Sequence, residues 1–232
     1  MRLTMVGQST VIIETSGGLV LITDPWFSSF SFLRAVPAAM GPGDIPACDL
    51  LLASHNHVDH FDNAAVDFAI ARGAGVIGSR RAAKRARKRG CARVWEVGPG
   101  DTVEYEGVKI HATSAYHPLA KDAVGFVVDA EKKLYFSGDT RRDKALVQEI
   151  KGFDVDVALV QVVCSTYFGK EDGMNLAEAA KFIEEIGARV AVPIHYQVRG
   201  KSLDPRAFLE LVPPPRGLVL PPGRPVVLGS DA

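Results

Sequence analysis

The segment Leu50-Leu51-Leu52-Ala53-Ser54-His55-Asn56-His57-Val58-Asp59-His60-Phe61-Asp62 joins an apolar run to a cluster of histidines and aspartates. The apolar run predicts a buried strand, and potential metal ligands begin where it ends. Imidazole nitrogens and carboxylate oxygens are ligands that zinc and similar divalent ions take. Residues two apart in an extended segment project to the same side, so His55 and His57 can bind one ion together. Asp59 and His60 follow on a turn and can face a second ion.

Further histidines and an aspartate follow other apolar runs along the chain. Five of the six histidines stand at or just beyond the end of a predicted strand, among them His117 and His195. Asp139 follows another strand in the tight turn 137–140, and His111 lies within a strand, where a structural role is expected. If the strand ends converge on one rim of the fold, these groups form a single site. Otherwise the first segment is a polar loop with solvated histidines.

The bulk composition indicates a globular protein with a sizeable core. The chain has 232 residues, of which 47% are hydrophobic and 23% charged, a size that suits one domain or two tightly fused halves. The net charge is zero, with 27 basic and 27 acidic residues, so any preference for nucleic acid or membrane has to be local. The amino terminus has no secretory-signal pattern and no apolar run could span a membrane, which predicts a soluble cytoplasmic protein. Three cysteines without CxxC spacing indicate reduced thiols.

The order of elements indicates a mixed α/β (α+β) protein. Strands followed by helices occur in both halves, which is compatible with two sheets packed face to face and helices outside. Asp62 is expected to cap the first helix, Ser79 the second, and Asn175 or a neighbour to start a third. The predicted strands cover 11–15, 19–23, 50–53, 76–78, 94–97, 101–105, 108–112, 125–129, 133–137, 155–163, 189–194 and 226–227, and the predicted helices cover 63–72, 80–89 and 175–185.

Three other features have two interpretations each. Asp24 at a strand end is interpreted first as a surface turn residue, and second as a carboxylate that orients a ligating imidazole. The irregular segment 26–49, with Trp26, Phe27, Phe30 and Phe32, is either a lid over a pocket or a satellite apolar cluster. The helix Arg80–Arg89 has basic residues all round and only alanines as a small side, so it is a solvated surface helix or a polyanion-binding surface.

The ordered set of motifs resembles the metallo-β-lactamase superfamily. The motif His55-x-His57-x-Asp59-His60 is followed by His117, Asp139 and His195, and the match covers nearly the whole chain. The segments 21–25 and 54–62 resemble more narrowly the branch of ascorbate-6-phosphate lactonase and N-acyl-phosphatidylethanolamine phospholipase D. Those relatives tend to carry a glycine-histidine pair early in the first strand, where this chain has Gly7 and Gln8.

The resemblance implies a single domain over residues 1–232 with a four-layer αβ/βα sandwich: two mixed sheets face to face, helices outside and a metal site at one rim. It also implies two divalent ions. His55, His57 and His117 would bind one, Asp59, His60 and His195 the other, and Asp139 would bridge them. The donor set lacks thiolate, which favours zinc and leaves manganese open. The redox flavodiiron branch is less compatible, because it has an acid where this chain has His57.

The implied activity is that of a dinuclear metal-dependent hydrolase. A metal-bridged hydroxide would attack a small ester, lactone or phosphodiester, with Asp59 as proton acceptor. Tyr196 and Arg141 are candidates for binding a substrate anion, although each also suits a structural role. The alternatives are a nuclease acting on RNA or DNA, for which the basic helix is the motive, a phospholipid diesterase that uses the aromatic segment, and a non-catalytic metal-binding module. The oligomeric state is left open.

Overall fold

A computed structural model describes residues 1–28, 34–167 and 169–229. Its first sheet has seven strands: β1 Arg2–Gly7, β2 Thr10–Glu14, β3 Val20–Thr23, β4 Leu50–Ala53, β5 Gly75–Gly78, β6 Val94–Glu96 and β15 Pro225–Val227. Their order is β15-β1-β2-β3-β4-β5-β6, antiparallel from β15 to β3 and parallel from β3 to β6.

The second sheet has six strands in the order β14-β11-β10-β9-β8-β7, and it is parallel only from β14 to β10. A separate two-stranded hairpin joins β12 Thr166–Tyr167 to β13 Lys170–Glu171. The six strands are β7 Thr102–Tyr105, β8 Val108–Ser114, β9 Val124–Asp129, β10 Lys133–Phe136, β11 Val157–Gln161 and β14 Val190–Ile194.

Five α-helices lie in the described part of the chain: α1 Asn63–Arg72, α2 Arg80–Arg89, α3 Lys144–Lys151, α4 Leu176–Ile186 and α5 Ala207–Leu211. A 3₁₀ turn covers Pro42–Asp44. The caps explain where α1 and α4 start. Asp62 accepts a hydrogen bond from the Ala65 amide, and Asn175 forms a reciprocal capping box with Glu178.

The main core lies between the two sheets. Met5 and Leu21 of the first sheet and Phe126 and Leu134 of the second belong to one cluster of buried apolar side chains. A second cluster, which includes Leu51, lies on the outer face of the first sheet and brings in side chains of α1 and α2. On the outside of the second sheet, Phe182 of α4 packs against Tyr135 of β10, with ring centres 6.0 Å apart. The structure therefore confirms the predicted class: two mixed sheets face to face, with helices outside.

The chain direction brings many strand ends to one rim. Strands β3 and β4 are parallel, and so are β10, β11 and β14. Strand β8 is antiparallel to β9, which is antiparallel to β10, so β8 and β10 run the same way. Within each sheet, the carboxyl ends of these strands therefore lie at one edge. The two edges meet where the amide of Val124, which pairs with the end of β8, donates to the carbonyl of Ser54 just after β4 at 3.0 Å. The residues that follow β3, β4, β8, β10 and β14 can therefore meet at one rim of the sandwich.

The segment 26–49 packs as a satellite cluster in its described part. Trp26 is fully buried, and the guanidinium of Arg34 lies 3.6 Å from the centre of its ring. Phe27 packs edge-on against Phe68 of α1, with ring centres 5.1 Å apart. Phe30 and Phe32 lie outside the described residues. The lid interpretation therefore has no support from Trp26 or Phe27, because both rings pack inward.

Several expectations about individual elements need correction. Ser79 occupies the position before α2 as predicted, but its hydroxyl makes no capping hydrogen bond. The carboxylate of Asp122 instead accepts the Arg81 amide at 2.8 Å, so the cap comes from a residue 41 positions away. Strand β1 and helices α3 and α5 were not predicted. The signals were present in the alternation of Leu3 and Met5 and in Asp143, whose side chain caps α3.

Candidate metal centre

Three imidazoles meet at the end of β4. The strand ends at Ala53, and His55 and His57 follow two and four residues later. The Nε2 atom of His55 lies 2.9 Å from Nδ1 of His57, and Nε2 of His117 lies 3.3 Å from the same Nδ1. One nitrogen from each ring lies within 4.8 Å of the other two. The first predicted trio is thus brought together from two sheets.

A second group lies beside the first. The Nε2 atoms of His60 and His195 are 3.1 Å apart. The Oδ2 atom of Asp139 lies 3.2 Å from Nε2 of His60 and 3.3 Å from Nε2 of His195. The Oδ2 atom of Asp59 lies 3.7 Å and 3.6 Å from the same two nitrogens. All seven side chains predicted as ligands therefore surround one small volume.

Asp24 is a buried anchor beneath this cluster. Its side chain is fully buried, and it accepts hydrogen bonds from the Ser54 amide and hydroxyl, each at 2.6 Å. Its Oδ2 atom also lies 2.6 Å from Nδ1 of His60. The first interpretation of Asp24, as a surface turn residue, is therefore wrong. The parallel pairing of β3 with β4 places it against Ser54, where it orients the His60 ring.

The tight turn at the end of β10 positions Asp139. Gly138 has φ +54°, a left-handed conformation that favours glycine. A Cβ atom at this position would lie 2.7 Å from Cβ of Ser54, far inside van der Waals contact. Gly138 therefore lets the second sheet approach the end of β4 closely enough for Asp139 to reach His60.

The backbone of His195 is held by the turn after β1. His195 has φ +62°, an uncommon conformation for a residue with a side chain, and its amide donates to the carbonyl of Gln8 at 3.0 Å. The two glutamines Gln8 and Gln197 bind each other reciprocally, backbone amide to side-chain oxygen, at 2.8 and 2.9 Å. Where the resembling branch tends to have histidine, this chain therefore has a residue that fixes the strand end carrying His195.

In the second group of side chains, the two imidazoles have raised pKa values and the two carboxylates have lowered ones. Burial alone would lower the pKa of His60 and of His195, but the nearby carboxylates of Asp139 and Asp59 raise both above the ordinary value. Burial alone would raise the pKa of the two aspartates, yet the adjacent imidazoles lower it, to about 2 for Asp139. Both carboxylates are therefore ionised at neutral pH.

The first trio is electrostatically different. Burial and the neighbouring histidines lower the pKa of His55 well below its ordinary value, and they lower that of His57 to about 4. Burial likewise lowers the pKa of His117. These rings are therefore neutral at pH 7, which is the form of imidazole that binds a metal ion.

The donor atoms fit divalent cations. With Nδ1 of His60 directed at Asp24, Nε2 of the same ring faces Nε2 of His195 and the carboxylates of Asp59 and Asp139. These atoms repel one another unless a cation lies among them, either a proton on the imidazoles or a metal ion. The Oδ1 atom of Asp139 is also buried and has no hydrogen-bond partner among the described residues. Imidazole and carboxylate without thiolate is a donor set that suits zinc and leaves manganese open.

The cluster faces a small cavity of about 110 Å³. His57, Asp59, Asp139 and His195 line one side of it, and Lys201 lies on its lining as well. The ammonium of Lys201 lies 2.5 Å from the hydroxyl of Ser165. Imidazoles and carboxylates that could bind a metal ion therefore line the same cavity as the ammonium of Lys201. Lys201 was not singled out in the sequence, because a lysine in a loop six residues after His195 carries no local signal.

The two predicted substrate-binding residues lie elsewhere. Tyr196 is only 4% exposed and packs in the core between the sheets, where burial raises its pKa to about 12. Arg141 is exposed, its amide donates to the carbonyl of Tyr116 at 3.2 Å, and its side chain does not line the cavity. The remaining histidine, His111, lies within β8 and contacts the Thr102 hydroxyl at 2.9 Å, away from the cluster.

Comparison with known proteins gives the family. The family model described as Beta-lactamase superfamily domain matches residues 20–196. The chain is 34% identical to the UPF0173 metal-dependent hydrolase of Methanopyrus kandleri in an alignment of 209 residues that covers 84% of this chain and 84% of the relative. The chain therefore belongs to the β-lactamase superfamily and, within it, to the UPF0173 metal-dependent hydrolases.

Solved structures share the fold. A metallo hydrolase from Ignicoccus hospitalis matches with a TM-score of 0.79 and 22% identity, over 97% of each chain. An isothiocyanate hydrolase from Delia radicum gut bacteria matches with a TM-score of 0.81 and 18% identity, over 98% of this chain and 99% of its own. At these identities the likeness concerns the fold alone. The narrower resemblance to lactonase and phospholipase D relatives stays a prediction.

None of the helices in the described ranges has the length and apolar character needed to cross a membrane.

Proposed function

We propose that this chain is a dinuclear metal-dependent hydrolase that acts on a small ester, lactone or phosphodiester. The observation that supports this most strongly is the convergence of seven imidazole and carboxylate side chains, remote in sequence, at one rim of the sandwich. Membership of a family whose relatives are named metal-dependent hydrolases supports the same activity.

The ligands divide into two sets, with zinc as the proposed metal and manganese as the alternative. One ion would be held by the three neutral rings at the end of β4 and after β8, and the second by the carboxylate and two rings beside them. Asp139 would serve both. The first set is His55, His57 and His117, the second is Asp59, His60 and His195. Ions held there would polarise a substrate oxygen and lower the pKa of water towards neutrality.

Asp59 is the proposed proton acceptor. It lines the cavity, its side chain is 23% exposed, and its pKa is held below the ordinary value, so it is ionised at neutral pH. A carboxylate in that position can take a proton from attacking water. Lys201, on the same cavity, supplies a cation that can orient a negatively charged part of the substrate.

Two alternatives lose or gain support. The phospholipid diesterase alternative depended on the aromatic segment, but Trp26 is buried and Phe27 packs on α1, so neither presents a ring to a membrane. A non-catalytic metal-binding module would have the same ligands as the hydrolase, so only a measurement of substrate turnover distinguishes the two. The nuclease alternative gains support from the basic side chains that line a cavity beside α2.

Hydrolysis of generic substrates tests the proposal. The native protein, the chelated protein and the chelated protein reloaded with Zn²⁺ or Mn²⁺ are assayed on a nitrophenyl ester, a lactone and a nitrophenyl phosphodiester. We expect activity on one class that is lost on chelation, returns with metal and falls by at least about 100-fold in His57→Ala. His111→Ala removes a histidine outside the cluster and should keep it. Activity that persists in chelated His57→Ala protein would refute the proposal.

A further inference from the structure

A cavity of about 520 Å³ runs beside α2 and is lined by basic side chains. We call it the basic groove, and its cationic lining consists of Arg81, Lys84, Arg85, Lys88 and Arg89. The same helix buries three alanines, among them Ala82 and Ala86, against the first sheet. The expectation that the basic residues of α2 fall all round the helix rather than on one stripe is therefore wrong for five of the seven, which line one groove. The other two, Arg80 and Arg87, lie outside it.

The spacing of these five residues makes a stripe. Positions 81, 84, 85, 88 and 89 follow the i, i+3, i+4, i+7, i+8 pattern, which places side chains on one face of a helix. With a rise of about 1.5 Å per residue, the stripe is about 12 Å long. A stripe of this length offers positive charge over two turns of helix rather than at a single point.

Much of this charge is not neutralised by neighbouring acids. Arg89 forms a two-point ion pair with Asp67, at 2.5 and 2.6 Å, and Arg81 lies 3.6 Å from Asp122. Within the described part of the chain, Lys84 and Lys88 have no carboxylate at salt-bridge distance. The protein as a whole is neutral, so the groove is a local concentration of positive charge.

Arg85 is held in place by its surroundings. It is half-buried and donates to the carbonyl of Phe61, just after the histidine motif. Burial lowers its pKa, and the charge of Asp62 opposes that shift. An arginine keeps its charge under such conditions, so it presents a fixed cation between the two lysines.

The groove reaches the chain segment that carries the histidine motif, although none of the proposed metal ligands lines it. Asn56 belongs to its lining and lies between His55 and His57 in the chain. Asn63, at the start of α1, completes the lining with a second amide. A ligand bound along α2 would therefore end close to the histidine motif.

We propose that the basic groove binds the sugar–phosphate backbone of a single-stranded nucleic acid. Several cations in a row match successive phosphates, whereas a lone phosphate could use only one turn of the stripe. A flexible single strand can bend into a concave groove. A duplex has a persistence length of about 150 base pairs and a convex surface, so it cannot enter the groove in the same way. Among the residues that the structure describes, none that lines the groove is an aromatic residue on which bases could stack, so we expect binding dominated by salt-sensitive backbone contacts.

This inference goes beyond the proposed hydrolase and does not depend on it. No metal ligand lines the groove, so the strand binds whether or not the metal site is loaded. His57→Ala should abolish hydrolysis and leave strand binding within about twofold. Failure of either proposal can therefore be distinguished from failure of the other.

Fluorescence anisotropy with a labelled 20-nucleotide oligo-uridine and its oligo-thymidine counterpart tests the proposal from 50 to 200 mM salt. Three phosphate contacts predict a slope of about −2 for the logarithm of the association constant against the logarithm of salt, or about a 20-fold loss over this range. Lys84→Ala with Lys88→Ala should bring the slope to about −0.7. Alanine is the best helix former, so α2 should stay folded, which circular dichroism checks.

The matched control is Lys144→Ala with Lys151→Ala, which removes two exposed lysines from α3 and changes the net charge equally. Its salt slope should equal that of the unmodified protein. The proposal is overturned if the unmodified protein shows no binding at 50 mM salt or if the control weakens binding as much. It is also overturned if anionic phosphatidylserine vesicles bind in place of the oligonucleotides, or if inorganic phosphate competes as well as the same concentration of oligonucleotide phosphate.

Discussion

Asp24 ties a metal-site histidine to the end of a neighbouring strand. It is buried and accepts hydrogen bonds from Ser54 while contacting Nδ1 of His60. An imidazole whose other nitrogen is fixed by a carboxylate has a defined orientation and greater basicity. A residue 36 positions before His60 in the chain therefore determines how His60 faces its proposed metal.

The substitution Asp24→Asn keeps the size of the side chain and removes its charge. We expect the affinity for the second metal ion to fall by about 10- to 100-fold, because His60 loses its charged partner. Competition titration with a chromophoric chelator measures this. Asp204→Asn, at an exposed aspartate paired with Arg206, is the control and should leave both affinities unchanged. Equal metal affinity in Asp24→Asn and the unmodified protein would refute the anchoring role.

Sequence reasoning succeeded at this scale where the information is local. The His55-x-His57-x-Asp59-His60 motif is contiguous, so its side chains could be nominated without a structure. The role of Asp24 depends on the pairing of β3 with β4 across an intervening segment of irregular chain, and Lys201 reaches the cavity only through the path of its loop. Tyr196 was nominated by its position next to His195, but the strand end turns it into the core.

At the scale of the element, turns at strand ends decide the site. The Gly138–Asp139 turn brings the end of β10 against the end of β4, and only a glycine fits that approach. The turn after β1 fixes His195 through the carbonyl of Gln8. The rim is therefore built from short connections between strand ends, each constrained by backbone contacts rather than by side-chain packing alone.

The substitution Gly138→Ala tests this. A methyl group 2.7 Å from Cβ of Ser54, at a φ of +54°, requires a backbone shift. We expect the free energy of unfolding in urea to fall by about 2 kcal/mol or more, with weaker metal binding, because Asp139 moves with the turn. Gly43→Ala is the control, since a Cβ there meets no atom within 4 Å and should change stability by less than about 0.5 kcal/mol. Equal stability of the two variants would contradict this account.

Helices α1 and α2 have the predicted bounds, and the signals for the start of α1 and for the ends of both helices are local. Asp62 precedes α1, and Gly73 and Gly90 end the two helices in the left-handed conformation. The capping of α2 could not be predicted, because the carboxylate that accepts its first free amide belongs to Asp122, in a distant loop. The spacing that puts five basic side chains of α2 on one face is present in the sequence, whereas the groove beside that face depends on the path of the chain around α1.

At the scale of the whole molecule, the metal site joins the two sheets. His55, His57, Asp59 and His60 follow a strand of the first sheet, and the other proposed ligands follow strands of the second. Metal ions bound at these proposed ligands would therefore stabilise the contact between the sheets that the apolar core already forms. The fold class was predictable because alternation of strands and helices is a property of the sequence, whereas strand order and register are tertiary.

Chelation should therefore lower the thermal stability of the molecule as a whole. A ligand that binds only the folded state raises the free energy of unfolding by about 4 kcal/mol when its free concentration is about 1,000 times its dissociation constant. We expect the melting temperature in calorimetry to fall by several degrees with a chelator and to recover with Zn²⁺ or Mn²⁺. The variant His117→Ala should show a smaller difference between the chelated and loaded states. An unchanged melting temperature on chelation would argue against metal binding at the junction.

The most direct test of the central claim is a metal titration of the chelated protein followed by calorimetry, with Zn²⁺ and with Mn²⁺. The convergence of seven ligands predicts two ions per chain for the unmodified protein and for His111→Ala, and one ion for His57→Ala and for His195→Ala. One ion or none in the unmodified protein, or an equal loss in His111→Ala, would contradict the dinuclear site.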